Sequence, residues 1–168
     1  MGKKEQGADP TRFTIIPRVL IFPVDEHGQV LLLQGASDKK IWAGLWNGIG
    51  GHVEQGESIL AAAKRELLEE TGLGAEQWLF CGQAQVDTGK SPGIGFFVFK
   101  AKGLSGELAL SEEGQIAWWT QKAALGLDLV EDLYTILPMV MAYRRGKPPF
   151  WAHYSYDDGD QLRMLFQR

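Results

Sequence analysis

Five charged residues at regular spacing carry the clearest chemistry in the sequence: Glu57, Arg65, Glu66, Glu69 and Glu70. On a helix, Glu66, Glu69 and Glu70 share one face because they stand at positions i, i+3 and i+4. Like charges at such spacings repel by about 0.2–0.5 kcal/mol per pair on an isolated helix. Arg65 can neutralise one carboxylate but not three, so the pattern favours a further cation at this face.

Apolar residues surround these glutamates. An acidic run is usually a solvated helix face, but Ile59, Ala62 and Ala63 point in nearly the same direction as the carboxylates. Carboxylates set among apolar side chains are costly to leave unpaired. Clustered oxygen ligands, with no cysteine and little histidine nearby, suit a hard divalent ion such as Mg²⁺ or Mn²⁺. The sequence therefore predicts a metal site, with a solvated acidic face as the weaker alternative.

The run from Gly51 to Leu73 also matches a known signature, G-x5-E-x7-R-E-U-x-E-E-x-G-U, in which U is a bulky aliphatic residue. Every defined position is present at the required spacing: Gly51, Glu57, Arg65, Glu66, Leu67, Glu69, Glu70, Gly72 and Leu73. The chain therefore resembles the Nudix hydrolases, which cleave a nucleoside diphosphate linked to a further group X. The resemblance implies an α/β fold, an α/β/α sandwich around a mixed β-sheet.

The resemblance also implies a set of metal ligands. Glu69 and Glu70 are expected to bind the ion, with the Gly50 carbonyl beside them. A further ligand often comes from a later loop, and a Glu-Gly-Gln context like that of MutT-type enzymes favours Glu113, with Glu112 as the alternative. Solvated loop acids remain an open explanation for both of these residues.

Three other residues receive catalytic roles from the resemblance. Glu66 is expected to hold a metal-bound water or to act as the base, and Glu57 to assist the metal cluster. Arg65 is expected to orient the glutamates, because its forked guanidinium suits bidentate pairing with carboxylates. No serine stands in a nucleophile motif, so attack by a metal-activated water is the expected mechanism.

Substrate recognition is predicted from a second resemblance. The run from Leu45 to Gly51 is similar to the W-N-G-x-G-G segment of MutT-like enzymes that clear oxidised purine nucleoside triphosphates. Asn47 is then expected to contact the base, since an amide offers a donor and an acceptor; the alternative is that it caps the local turn. Trp118 is expected to form an aromatic platform, and Trp42, Trp119, Tyr134 or simple core packing are the alternatives.

A third part of the predicted base site lies further along the chain. Asp132 belongs to an acidic segment, 128–132, that resembles the segment contacting the base in oxidised-purine enzymes.

The function predicted is Mg²⁺-dependent hydrolysis of a (d)NTP, with 8-oxo-dGTP favoured, to a nucleoside monophosphate and pyrophosphate. Two alternatives stay open: a hydrolase of NDP-sugars or other nucleotide conjugates, and a non-catalytic nucleotide sensor or interaction module of the same fold.

The elements that must position these residues follow from hydrophobic pattern and turn signals. The pattern predicts strands over 13–22, 30–33, 79–87, 95–102 and 116–120, and a C-terminal hairpin of 150–156 with 161–166. It predicts one helix that begins after Ser58 as N-cap and ends at Gly72 as C-cap, and a second helix over 128–145 that includes Pro138.

Composition limits the class of protein. The 168 residues suit one domain, predicted over 11–168 behind a loose tail at 1–10. A net charge of −4 argues against binding to a nucleic-acid polymer or an anionic membrane, so the expected partner is a small nucleotide. A single cysteine, with no membrane span or signal peptide recognised, favours the cytoplasm. The oligomeric state stays open, with a homodimer as one option.

Overall fold

The computed structural model describes residues 2, 7, 9, 11–36, 41–109 and 114–167. Within them the strands are β1 (Ile15–Pro23), β2 (Val30–Gly35), β3 (Trp46–Asn47), β4 (Leu73–Val86), β5 (Gly93–Gly106), β6 (Gly114–Trp119), β7 (Phe150–Tyr156) and β8 (Leu162–Gln167). The helices are α1 (Ile59–Thr71), α2 (Gln121–Ala124) and α3 (Leu133–Ala142). No described helix has the length and apolar character needed to cross a membrane.

The strands form two sheets. The larger is a mixed sheet in the order β1-β5-β4-β7-β8, in which β1 with β5 and β4 with β7 are parallel. The smaller is an antiparallel sheet in the order β3-β2-β6. The C-terminal hairpin is formed by β7 and β8, as predicted, and it occupies one edge of the mixed sheet.

Two hydrophobic clusters lie on opposite faces of β1, because side chains alternate along a strand. Val19 and Ile21 face the cluster that contains the buried α1 residues, such as Leu67. Leu20 and Phe22 face the other cluster, which takes in the buried side of α3 and of the C-terminal hairpin. The helices therefore cover both faces of the sheet, which confirms the predicted α/β/α sandwich.

Helix α1 begins and ends where its capping residues predict. The Ser58 hydroxyl accepts a hydrogen bond from the Ala61 N–H at 3.2 Å, which satisfies one of the free donors at the helix start. Gly72 adopts the left-handed conformation (φ 74°) and its N–H donates to the Leu68 carbonyl at 2.8 Å. These two caps fix the length of the helix that carries the glutamates.

Other predicted boundaries were wrong. The second helix begins at Leu133 rather than at 128, because the backbone of 128–130 pairs with β3. The Trp46 N–H donates to the Asp128 carbonyl at 2.8 Å, and the Val130 N–H donates to the Trp46 carbonyl at 3.0 Å. Strand β4 begins at Leu73 rather than at 79, directly after the α1 C-cap, so its first half pairs with the end of β5.

Candidate active site

Arg65 is the centre of a hydrogen-bonded cluster on α1. Its guanidinium donates to both carboxylate oxygens of Glu57, at 2.7 and 3.2 Å. It also donates to Glu66 Oε1 at 2.8 Å, to Glu69 Oε2 at 3.0 Å and to the His52 carbonyl at 3.0 Å. Arg65 thus links the loop before α1 to three glutamates, and these contacts raise its pKa, with the bonds to Glu57 and Glu66 as the largest causes.

Glu57 is held from two sides. Besides the bonds from Arg65, its Oε1 accepts a hydrogen bond from the Glu54 N–H at 2.7 Å. The bond from Arg65, followed by the one from this backbone N–H, lowers the pKa of Glu57. The side chain is therefore kept ionised and fixed in orientation ahead of α1.

Glu66 lies next to the loop that contains Gly50 and Gly51. Its side chain is only 12% exposed. A Cβ on Gly51 would overlap the Glu66 carboxylate, and a Cβ on Gly50 would overlap the Val19 carbonyl oxygen. Glycine at both positions therefore allows the loop to approach the carboxylate and the strand β1 closely.

A polar cavity of about 330 Å³ opens beside this loop. Glu66, Glu70 and the backbone of Gly50 line it, together with the side chain of Glu54. The Gly50 N–H donates to Glu70 Oε2 at 3.3 Å, which orients that carboxylate toward the loop. The structure thus brings together three of the predicted metal-binding and catalytic residues: Gly50, Glu66 and Glu70.

The carboxylates of Glu66 and Glu70 beside this cavity are ligands of the kind that a hard divalent ion prefers. Glu69 does not line the cavity: its side chain is 59% exposed and is bound to Arg65. Among the described side chains, no three acidic, histidine or cysteine groups converge as a finished metal cage. Glu113 and Glu112 lie outside the described residues, so the later-loop ligand stays a prediction.

An apolar cavity, also of about 330 Å³, adjoins the polar one. The two share four lining residues: Leu20, Trp42, Asn47 and Phe96. The rest of its wall is built from the segment before α3, the ends of β4 and β5, and the C-terminal hairpin: Leu45, Val86, Ile94, Val130, Glu131, Asp132, Tyr154, Tyr156, Asp160 and Leu162. Aromatic and aliphatic walls of this kind can hold a planar ring.

Two buried polar groups stand in the wall of this apolar cavity. Asp132 is 9% exposed, and its burial, more than the nearby Glu131 charge, raises its pKa to about 6. Tyr154 is 2% exposed, and its hydroxyl lies close to Asp132 without completing a hydrogen bond of good geometry to any described residue. Burial also raises the Tyr154 pKa, so its phenol is neutral near pH 7 and is able to donate to a ligand.

Asn47 reaches the cavity from β3. Its side-chain Oδ1 accepts a hydrogen bond from the Gly48 N–H at 2.8 Å, which fixes the turn that follows β3. The turn-capping alternative is therefore observed. The amide NH₂ is not used in that bond, so one side chain can hold the turn and still offer a donor to the cavity that it lines.

Trp118 is not brought to either cavity, which is a correction to the prediction. It lies on β6 and packs against the cluster on the α1 side. The next residue, Trp119, faces the opposite side and packs edge-to-face on Trp46, with 5.4 Å between the ring centroids. The two tryptophans face opposite sides because successive side chains alternate along a strand. The tryptophan in both cavity walls is Trp42, which was named only as an alternative.

Several lining residues were not predicted as part of the site. Tyr154 and Tyr156 enter the apolar cavity because β7 pairs in parallel with the distant β4, and sequence pattern alone does not set that pairing. Phe96 enters because β5 lies beside β1. Arg18 lines the polar cavity, and it did carry a signal: it is a single charge inside the apolar run of β1.

Comparisons with known proteins agree with this arrangement. Residues 14–140 match the NUDIX domain family. The chain is 32% identical over 132 residues to an oxidized purine nucleoside triphosphate hydrolase of Mus musculus, covering 78% of this chain and 82% of that protein. It is 33% identical to an ADPR responsive transcriptional repressor of Acinetobacter baylyi, covering 79% of this chain and 54% of the repressor.

A solved structure gives the same fold. The mutator MutT protein from Bacillus halodurans superposes with a TM-score of 0.76 at 29% sequence identity, covering 90% of this chain and 97% of that protein. Since the match spans nearly the whole of the MutT protein, the two chains share the complete domain.

Proposed function

The chain belongs to the NUDIX domain family and is a pyrophosphohydrolase of the MutT-like type, and we propose that it hydrolyses oxidised purine nucleoside triphosphates. The favoured substrate is 8-oxo-dGTP, and the products are the nucleoside monophosphate and pyrophosphate. The name of the mouse relative supports this substrate class.

The observation that carries the proposal is the contact between two unlike cavities. The apolar cavity suits a base, and the adjoining polar cavity carries the glutamates. Because Leu20, Trp42, Asn47 and Phe96 border both, a nucleotide with its base in one cavity directs its phosphates into the other. Asn47, Asp132 and Tyr154 give the base cavity polar groups that can distinguish one purine edge from another.

Divalent ions are general in Nudix hydrolases, and Mg²⁺, with Mn²⁺ as a substitute, would neutralise phosphate charge and increase the acidity of a water molecule when bound. Glu69, Glu70 and the Gly50 carbonyl are the proposed ligands, and Glu113 or Glu112 the proposed addition from the later loop.

The chain's own residues then have distinct tasks. Glu66 is proposed to accept the proton of the attacking water, whose oxygen forms a new bond to phosphorus as the bond to the leaving phosphate oxygen breaks. Glu57 and Arg65 hold the carboxylates in place: Arg65 contacts Glu57, Glu66 and Glu69, so it is engaged with protein rather than open to substrate. The proposed catalytic set is therefore Glu66, positioned by Arg65 and Glu57.

A second function is favoured by one observation, the similarity to the ADPR responsive repressor. In that case the domain would bind a nucleotide without turnover. The complete set of signature glutamates argues for hydrolysis, because a binding module does not need them all. A small nucleotide as sole partner, a cytoplasmic location and a homodimer remain predictions.

Product analysis on a nucleotide panel tests the proposal. The panel contains 8-oxo-dGTP, the four ordinary dNTPs, ADP-ribose, an NDP-sugar and a diadenosine polyphosphate, each with Mg²⁺ and with EDTA. We expect pyrophosphate release from 8-oxo-dGTP at the highest kcat/KM and none with EDTA. Preference for a conjugate would overturn the substrate, and binding of ADP-ribose without turnover of any compound would support the sensor.

A further inference from the structure

Arg18 lines the polar cavity next to residues that this cavity shares with the apolar one. It lies on β1 opposite Phe96 of β5 and two residues before Leu20, so its side chain leaves the strand on the same face as Leu20. Phe96 and Leu20 both line the two cavities, and Arg18 itself lines the polar one, which also contains Glu66 and Glu70.

The Arg18 guanidinium has no partner in the described protein. Its Nε is buried without a hydrogen bond, and no hydrogen bond or ion pair joins its side chain to any described residue. Loss of hydration lowers its pKa, although it stays charged at pH 7. A half-buried cation without a partner is costly, and buried charges are normally paired or bound to a ligand.

The charge around the polar cavity indicates what that ligand is. Among its described lining residues, three side chains are carboxylates, Glu54, Glu66 and Glu70, and Arg18 is the only Arg or Lys in the wall of either cavity. Arg65 is already engaged by its glutamates. Among the residues that the structure describes, an anion entering from the side of the apolar cavity therefore meets one lining arginine without a partner, whose fork matches two oxygens of a phosphate.

Resting on the proposed function, we propose that Arg18 binds the phosphate group next to the sugar of the nucleotide. Its position next to the residues that the two cavities share selects that phosphate, because the more distant phosphates extend toward the glutamates. Arg18 thereby keeps the base in one cavity while the scissile bond lies in the other. It is a substrate-binding residue that acts without the divalent ion.

Calorimetric binding without metal separates this role from the chemistry. The probes are nucleosides paired with their 5′-monophosphates, with 8-oxoguanine, guanine or adenine as the base, measured in EDTA. We expect the wild-type protein to prefer the monophosphate, and Arg18→Gln to lose roughly 10- to 100-fold of that preference. Nucleoside affinity should be unchanged. Arg12→Gln makes the same charge change at an exposed site and should behave as wild type.

A second variant keeps the test valid if Arg18→Gln folds poorly. Arg18→Lys retains the charge but not the fork, so it should keep part of the monophosphate preference. An unchanged preference in either well-folded variant, or an equal loss of nucleoside and monophosphate affinity, would overturn the role of Arg18. A wild-type protein that prefers the adenine or guanine probes would overturn the proposed substrate while leaving the Arg18 test intact.

Discussion

At the scale of single residues, Glu70 and Glu69 differ more than their adjacency suggests. Glu70 lines the polar cavity and accepts a bond from the Gly50 N–H, whereas Glu69 is exposed and bound to Arg65. Their positions on α1 explain the difference, because successive helical residues point about 100° apart. Glu70 is therefore the better residue for testing the proposed metal site.

Glu70→Gln should fold normally and lose turnover by at least about 100-fold, more than loss of an indirect partner of a metal ligand costs. The amide keeps the size of the side chain but removes the negative charge that a divalent ion requires. The measurement is kcat with Mg²⁺ and the dissociation constant of Mn²⁺. Glu76→Gln, an exposed glutamate on β4, serves as the matched control. Turnover like that of the wild type would remove Glu70 from the ligand set.

Asn47 allows its two roles to be separated. Asn47→Asp retains the oxygen that accepts from Gly48 but loses the NH₂ donor, while Asn47→Ala loses both. We expect both variants to lower the kcat/KM ratio of 8-oxo-dGTP to dGTP by roughly 10-fold, the value of one modest hydrogen bond. Only Asn47→Ala should also lower the melting temperature.

The ratio of two triphosphates is the right measure here, because the carboxylate introduced by Asn47→Asp repels the phosphates of both substrates equally. If the ratio is unchanged in Asn47→Asp, the NH₂ does not read the base and Asn47 acts only on the turn.

At the scale of elements, the glycine that ends α1 is under two constraints. Gly72 has φ 74°, and a Cβ there would meet the Glu107 carbonyl oxygen at 2.6 Å. Gly56, in the loop before α1, has φ 94° but open space where a Cβ would stand. The two glycines thus form a natural pair for separating backbone strain from steric overlap.

Gly56→Ala should lower the free energy of unfolding by about 1–2 kcal/mol, the cost of a left-handed non-glycine residue. Gly72→Ala should lower it further, since Ala adds the clash with Glu107 and shifts the end of α1. Urea unfolding of both variants measures the difference. Equal losses would show that the β4–β5 end relaxes away from the new methyl group.

The same elements show what sequence can and cannot predict. The caps of α1 were predictable because Ser58 and Gly72 act through local hydrogen bonds. The start of α3 was not, since 128–130 is drawn into pairing with Trp46, which is distant in sequence. The acidic face of α1 was predictable because it follows from helical spacing. The presence of Tyr154 and Tyr156 in the apolar cavity was not, because it depends on the pairing of β4 with β7. The position of Trp118 was not predictable either, because it depends on which cluster each face of β6 packs against.

At the scale of the whole molecule, one buried carboxyl links stability to pH. Asp132 lies where the segment before α3 meets the C-terminal hairpin, with Glu131 and Tyr154 as its titratable neighbours. Burial raises its pKa to about 6 from an ordinary value of 3.8. Between those two values the folded protein holds a proton that the unfolded chain has released, so stability from this group falls as pH rises.

Asp132→Asn should remove that dependence, because an amide does not titrate. A pKa difference of about two pH units corresponds to about 3 kcal/mol over the whole titration, so between pH 4 and pH 6 the wild type should lose about 2 kcal/mol of stability relative to the variant. Asp9, Glu57 and Asp157 have lowered pKa values and give the opposite slope, but they are common to both proteins and cancel in the difference.

Urea unfolding at pH 4, 5, 6 and 7 measures the difference in stability between the wild type and Asp132→Asn, with the exposed Asp158→Asn as control. A difference that stays constant with pH would mean that folding leaves the pKa of Asp132 at its ordinary value of 3.8, and its carboxylate would then face the apolar cavity as an ionised acceptor throughout the physiological range.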